Sequence, residues 1–170
     1  MSLSACKKGY QQPSTPISDM SGYNDLQTEQ FHDITIKEIL AFADEKATAI
    51  IYCGYDSCPW CNCLVPVLND VSIEKDMQLY YMDWMNDINK QDNQDMLDLV
   101  AYCGDLLDKN EDGDPVFFFP CVLYIKNGSV FNIHVGTVSG HDATSSQLSE
   151  KQQARLRYNL NKEFNAIIGL

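Results

Sequence analysis

The chain has 170 residues, 45% of them hydrophobic, a formal net charge of −12 at pH 7 and an isoelectric point near 4.4. That length and apolar content allow one substantial core with additions, and no internal repeat is visible. The acidic balance disfavours nucleic acid and anionic membrane surfaces as direct partners, because like charges repel at contact.

In chain order, residues 7–25 are rich in Lys, Gln, Pro and Ser and poor in large apolar groups. This predicts a flexible leader over residues 1–25 ahead of a folded domain at 26–170. Thr35-Ile36-Lys37-Glu38 has the capping-box pattern and predicts a helix to about Glu45. Ala47 to Tyr55 reads as a buried strand. Pro59 to about Ile73 reads as a helix, with Pro59 suited to its first turn and Pro66 expected to kink it. Met77 to Trp84 predicts a further strand, and Gln91 to Leu107 a helix whose apolar face holds Met96, Leu97, Val100, Leu106 and Leu107. Asp108 to Asp114 copies the first half of a calcium-binding loop, but Phe119 stands where the bidentate glutamate belongs, so an acidic turn and no metal site is expected. Phe117 to Ile125, the turn Lys126-Asn127-Gly128, and Ser129 to Gly136 form a strong hairpin signal. Ser149 to Ile168 closes the chain as a helix with Leu156, Leu160, Phe164 and Ile167 on one stripe. The order of elements predicts an α/β sandwich around a mixed sheet.

The chemistry-bearing motif is Cys58-Pro59-Trp60-Cys61, at a predicted strand-to-helix junction. A helix start leaves backbone N–H groups unpaired and presents the positive end of the helix dipole, which favours a thiolate. Cys58 is therefore the expected nucleophile, and Cys61, one turn further in, is placed to resolve a mixed disulfide formed on it. Half a zinc site has the same spacing, but Cys103, Cys121, His134 and His141 supply no second pair of that kind. A cysteine/histidine hydrolase needs a histidine beside the nucleophile, and none lies near Cys58 in sequence.

The CxxC, the helix proline Pro66, the proline Pro120 opening the next-to-last strand, the Lys-Asn-Gly turn and Val135-Gly136 closing the last strand fall in the order of the thioredoxin-like family, which the chain resembles from about Ile34 to Leu170. The resemblance implies a thioredoxin-like α/β fold, a central mixed sheet flanked by helices. It further implies a thiol:disulfide oxidoreductase with Cys58 and Cys61 as catalytic pair and no cofactor. Pro120 corresponds to the family's cis-proline, whose loop faces the CxxC, so Trp60, Phe119 and Pro120 are the implied substrate-binding residues. Family topology also sets Cys53 and Cys121 on neighbouring strands. Where thioredoxins often carry a buried acid, six residues before the first cysteine, this chain has Tyr52. The implied partners are protein or peptide thiols and disulfides and a redox-recycling protein. Within the family the chain looks most like the bacteriocin transport accessory proteins of Gram-positive bacteria. The alternative reading is a redox-inactive module that holds a secreted peptide on an exposed Trp60 and Pro120 surface.

Leu3-Ser4-Ala5-Cys6 resembles the lipobox of bacterial lipoproteins, in which a signal peptide is cut before a cysteine that becomes lipid-modified. This implies lipidation of Cys6, an extracytoplasmic location anchored to the cell membrane, and membrane contact only through that lipid. A polar leader of about twenty residues would reach on the order of 25 Å as a flexible coil, enough to clear the headgroups. The reading expects a basic start and an apolar run to be encoded upstream. The alternative is a chance tetrapeptide in a cytoplasmic protein.

Overall fold

The computed structural model describes residues 9–88 and 93–170. Cys6 and the start of the predicted leader lie outside the described residues. In chain order the elements are β1 (Phe31–Asp33), α1 (Ile36–Glu45), β2 (Ala49–Gly54), α2 (Pro59–Lys75), β3 (Leu79–Asp83), α3 (Trp84–Ile88), α4 (Asn93–Cys103), β4 (Asp108–Lys109), β5 (Pro115–Val116), β6 (Cys121–Lys126), β7 (Ser129–Val135) and α5 (Glu150–Ile168). Five strands form a mixed sheet in the order β1-β3-β2-β6-β7. β1 and β2 run parallel to β3, whereas β6 runs antiparallel to β2 and β7. The expected thioredoxin-like α/β architecture is present.

The sheet separates two apolar layers, and β2 feeds both. All six of its residues are buried, as expected of a central strand covered on both faces. Alternation divides them. Ile50 and Tyr52 pack with Leu64 and Leu68 of α2 and Leu156, Leu160 and Phe164 of α5. Ala49, Ile51 and Cys53 pack with Ile36, Ile39 and Phe42 of α1 and Leu99 and Cys103 of α4.

Local signals account for most element ends. The Thr35 hydroxyl accepts the Glu38 N–H at 3.3 Å while the Glu38 carboxylate accepts the Thr35 N–H at 2.8 Å, the reciprocal pattern that satisfies two orphan donors. Ser149 and Gln152 repeat it at α5. Asn127 and Gly128 take φ of 52° and 78°, as a two-residue hairpin turn matching strand twist requires. The predicted helix to Leu107 ends early: α4 stops at Cys103 because Gly104 adopts φ 57°, and a single 3-10 turn follows. The acidic loop folds as the small β4–β5 hairpin, with the Asn110 side-chain oxygen accepting the N–H groups of Asp112 and Asp114. The strand expected from Phe117 begins only at Cys121.

The flexible-leader expectation does not hold from Tyr10 onward. Ile17 bridges His32, and the N–H groups of Ser18 and Asp33 reach the carbonyls of Phe31 and Pro16 at 2.9 Å each. The Tyr10 hydroxyl donates to the Gln78 carbonyl. Met20 and Tyr23 are 2% and 1% exposed and belong to the core beside α2. Composition suggested disorder because these two anchors are isolated among polar residues. The segment also repairs a defect in α2. Pro66 has no N–H for the Asn62 carbonyl one turn back, and the Asn24 amide donates to that carbonyl at 3.4 Å. α2 runs through Pro66 as one helix. The domain therefore reaches back to at least Tyr10.

A docked segment and a flexible one respond differently to substitution. Met20→Ala should lower stability by about 2–5 kcal/mol, the usual cost of truncating a buried Met, read as a lower urea midpoint. Ser14→Ala, at an exposed position, should stay within about 0.5 kcal/mol of the parent. Equal midpoints for the two variants would restore the leader reading.

Candidate active site

The site begins where β2 runs out. Gly54 is followed by Tyr55, Asp56 and Ser57, and the Cys58 N–H closes a turn onto the Tyr55 carbonyl at 3.2 Å. Cys58 is the N-cap of α2, with φ −86° and ψ 118°, and no acidic residue lies in the helix's first turn. Its Sγ accepts the Cys61 backbone N–H at 3.2 Å, the place that a Ser or Asp oxygen takes in an ordinary cap.

The two sulfurs are unequal. Cys58 retains 4% exposure and Cys61 none. A hydrogen bond from the Cys61 thiol, helped by the backbone N–H groups of Cys61 and Trp60, brings the Cys58 thiol down to about 7 against the opposing effect of burial. The same hydrogen bond, followed by burial, holds the Cys61 thiol well above the ordinary range, and the Tyr52 hydroxyl acts in the other direction. Gly54 makes room for this contact: a Cβ there would stand 3.0 Å from Cys61 Sγ and 2.7 Å from Tyr52 Cζ.

The Phe119–Pro120 peptide bond is cis. Cys121, the next residue, pairs with Cys53 across β6 and β2, so the proline lies beside the end of the strand that launches the CxxC loop. The Pro120 carbonyl accepts the Gly136 N–H at 2.8 Å. Pro120 is buried and Trp60 and Phe119 are half-buried, which corrects the picture of an exposed Trp60 and Pro120 surface. Trp60 lines a cavity of about 270 Å³ with Gly136, Val138 and His141. Phe119 packs at 4.5 Å on Trp84 and 6.0 Å on Tyr55, while its neighbour Phe118 is 50% exposed.

All six cysteines among the described residues are free thiols. Cys53 and Cys121 meet across the strands, and that hydrogen bond together with burial raises the Cys53 thiol. They lie on the sheet face opposite Tyr52, with Cys103 close by. Cys63 is a packed residue whose thiol donates to Gln147 at 3.5 Å. Among the described residues no three His, Cys, Asp or Glu side chains gather as a metal would require. No described helix is long and apolar enough to cross a membrane.

Two residues around the dithiol escaped the sequence reading. Tyr23 and Tyr81 hydrogen-bond to each other at 2.8 Å beside Tyr52. They lie far from Cys58 in the chain, and no local pattern announces them.

This geometry, a mixed five-stranded sheet with a pair of cysteines at the N-terminus of the helix that follows its central strand, is a thioredoxin-like fold. No family model matches the chain, and no curated protein matches it. Among solved structures it is similar to thioredoxin O2 from Arabidopsis thaliana in the oxidised state, at 20% identity over 68% of this chain and 87% of that one, with a TM-score of 0.39. Thioredoxin O1 from Arabidopsis thaliana, also oxidised, is similar at 16% identity over 68% and 90% of the two chains, with a TM-score of 0.41. A candidate oxidoreductase with a thioredoxin fold matches at 15% identity over 75% and 95%, with a TM-score of 0.45. At such identities the likeness concerns fold alone.

The inequality of the sulfurs sets a pH dependence. Only the thiolate alkylates, so the rate of iodoacetamide labelling at Cys58 should rise with pH through a midpoint near 7. Cys61 should label far more slowly throughout, its thiol being buried and its titration displaced upward. Peptide mapping of partly labelled protein checks both, and faster labelling at Cys61 would reverse the assignment.

Proposed function

We propose that the protein is a thiol:disulfide oxidoreductase that works through Cys58 and Cys61. The observation that carries the reading is the Cys58 sulfur at the N-cap of α2, holding the Cys61 N–H, with the Cys61 sulfur buried behind it. In the reducing direction the Cys58 thiolate attacks one sulfur of a substrate disulfide and expels the other as a thiolate. Cys61 then attacks Cys58 Sγ, the bond to the substrate breaks, and the second substrate sulfur leaves with the electron pair. The protein is left as the Cys58–Cys61 disulfide, and the same steps reversed make it an oxidant. Direction follows from the reduction potential and the recycling partner.

Trp60 and Phe119, with the backbone around Pro120, form the proposed substrate surface for an extended peptide. The remainder of the proposal concerns place. Cys6 carries a lipid in the mature protein, the domain works outside the cytoplasmic membrane, where disulfides persist, and it serves peptide secretion as an accessory of the bacteriocin transport type. The packed segment from Tyr10 shortens the tether that this arrangement has available.

The test is mixed-disulfide capture. With Cys6 replaced by serine, Cys61→Ser should accumulate a stable adduct between Cys58 and a disulfide-bonded peptide, whereas Cys58→Ser should accumulate none. The parent should exchange with the same peptide without accumulating an adduct. Absence of exchange in the parent would favour the redox-inactive binding module, and capture confined to Cys58→Ser would exchange the two roles.

A further inference from the structure

Resolution of a mixed disulfide requires Cys61 to lose its proton, and its sulfur has no exposure to water. The thiol lies beside the Tyr52 hydroxyl: both groups converge on the space that a Cβ on Gly54 would take, 3.0 Å from Cys61 Sγ and 2.7 Å from Tyr52 Cζ. Tyr52 Oη donates to Tyr23 Oη at 3.3 Å, and Tyr23 Oη lies 2.8 Å from Tyr81 Oη. Because Tyr23 accepts from Tyr52, its own proton is free to point at Tyr81, and the chain of donors then runs in one direction away from Cys61. Tyr81 lines an open cavity of about 450 Å³ together with Asp33 and Asp83. Packing fixes the three rings: Tyr52 and Tyr81 stack at 5.4 Å, and Tyr23 stands edge-on to both at 6.0 and 5.9 Å.

Resting on the dithiol reading above, we propose that the hydroxyls of Tyr52, Tyr23 and Tyr81 are the proton path through which Cys61 is deprotonated as it resolves a mixed disulfide on Cys58. In that step the Cys61 Sγ–Cys58 Sγ bond forms, the Cys58 Sγ–substrate sulfur bond breaks, and the electron pair leaves on the substrate thiolate. The Cys61 proton passes to Tyr52 Oη, the Tyr52 proton to Tyr23, the Tyr23 proton to Tyr81, and the Tyr81 proton to water in the cavity. Each hydroxyl ends with one proton, and no electron moves along the chain. Burial raises all three phenols, so they relay protons without collecting as phenolates. Asp56 and Asp83 lie within electrostatic range of Tyr81, and Asp83 of Tyr23. Their charge favours the outgoing proton.

A symmetrical nitroaromatic disulfide with a coloured thiolate separates the two chemical steps in a Cys6→Ser background. Attack by Cys58 releases one equivalent of colour, and resolution by Cys61 releases the second. Tyr52→Phe keeps the ring and deletes the hydroxyl. Its second release should slow about tenfold or more, within the range that positioned proton transfer supplies, while the first equivalent still appears. Tyr23→Phe and Tyr81→Phe should slow the second release as well. In each variant the deficit should narrow as pH rises, because hydroxide takes the proton directly, a behaviour that a mere packing defect does not produce. A second release unchanged in Tyr52→Phe, unchanged in both other variants, or slowed equally at every pH overturns the path. If the parent releases no second equivalent, the dithiol reading falls and the path with it, a result distinct from a parent that resolves normally beside variants that do so too.

Discussion

The arrangement depends on the burial of β2 from both sides and along both edges. Its neighbours β3 and β6 take its backbone groups, and the two apolar layers take its side chains. Truncating one buried isoleucine to alanine in such a core costs about 2–5 kcal/mol, a large share of the roughly 5–15 kcal/mol by which domains are stable. Little variation is therefore tolerated there. A strand so enclosed delivers its C-terminal end to one fixed point, and the CxxC loop starts from that point. The inter-thiol geometry inherits its rigidity from the strand behind it.

Two effects could make Cys58 the more acidic thiol, and their sizes differ. The helix terminus is worth about 0.3–1 kcal/mol at an exposed position and up to about 2 kcal/mol at a partly buried one. A hydrogen bond to a charged acceptor is worth about 1.5–3 kcal/mol, and Cys58 receives them from the Cys61 thiol and from backbone N–H groups. The contacts decide, and the dipole assists. The net charge of −12 opposes a thiolate only weakly, because exposed charges farther away than about 8 Å are screened at physiological salt. The asymmetry also explains itself chemically. The donor that steadies the Cys58 thiolate is the Cys61 proton, so under the proposed function Cys61 would be held back until Cys58 has been consumed.

The sequence made much of this legible because its signals are local. The capping boxes at Thr35 and Ser149, the Asn127-Gly128 turn and the unbroken apolar run of β2 each act over a few residues, and each element formed where its signal stood. Cys58 and Cys61 were readable for the same reason. β1 was missed because Phe-His-Asp is too short for a period of two to register, and its pairing with β3 depends on residues nearly fifty positions away. α3 hangs on the Asp83 carboxylate, which accepts the N–H groups of Met85 and Asn86 at 3.1 and 3.2 Å. The docked N-terminal segment failed for a related reason. Composition averages over a window, whereas docking here depends on Met20 and Tyr23 filling particular places.

Tyr23 joins these levels. Its ring closes the core beside α2, and its hydroxyl sits between those of Tyr52 and Tyr81. A buried hydroxyl without a partner costs about 1–3 kcal/mol, so loss of the Tyr23 hydroxyl would leave Tyr52 without the acceptor of its proton. A carboxylate in place of Tyr52 would face a harsher balance. It would be enclosed on every side, and burying an unpaired charge costs far more than burying a hydroxyl. A phenol remains neutral at rest, offers the Cys61 sulfur both a donor and an acceptor, and needs only further hydroxyls to satisfy it. The N-terminal segment supplies one of those hydroxyls, and so the part of the chain that composition sets apart from the domain completes the polar interior behind its dithiol.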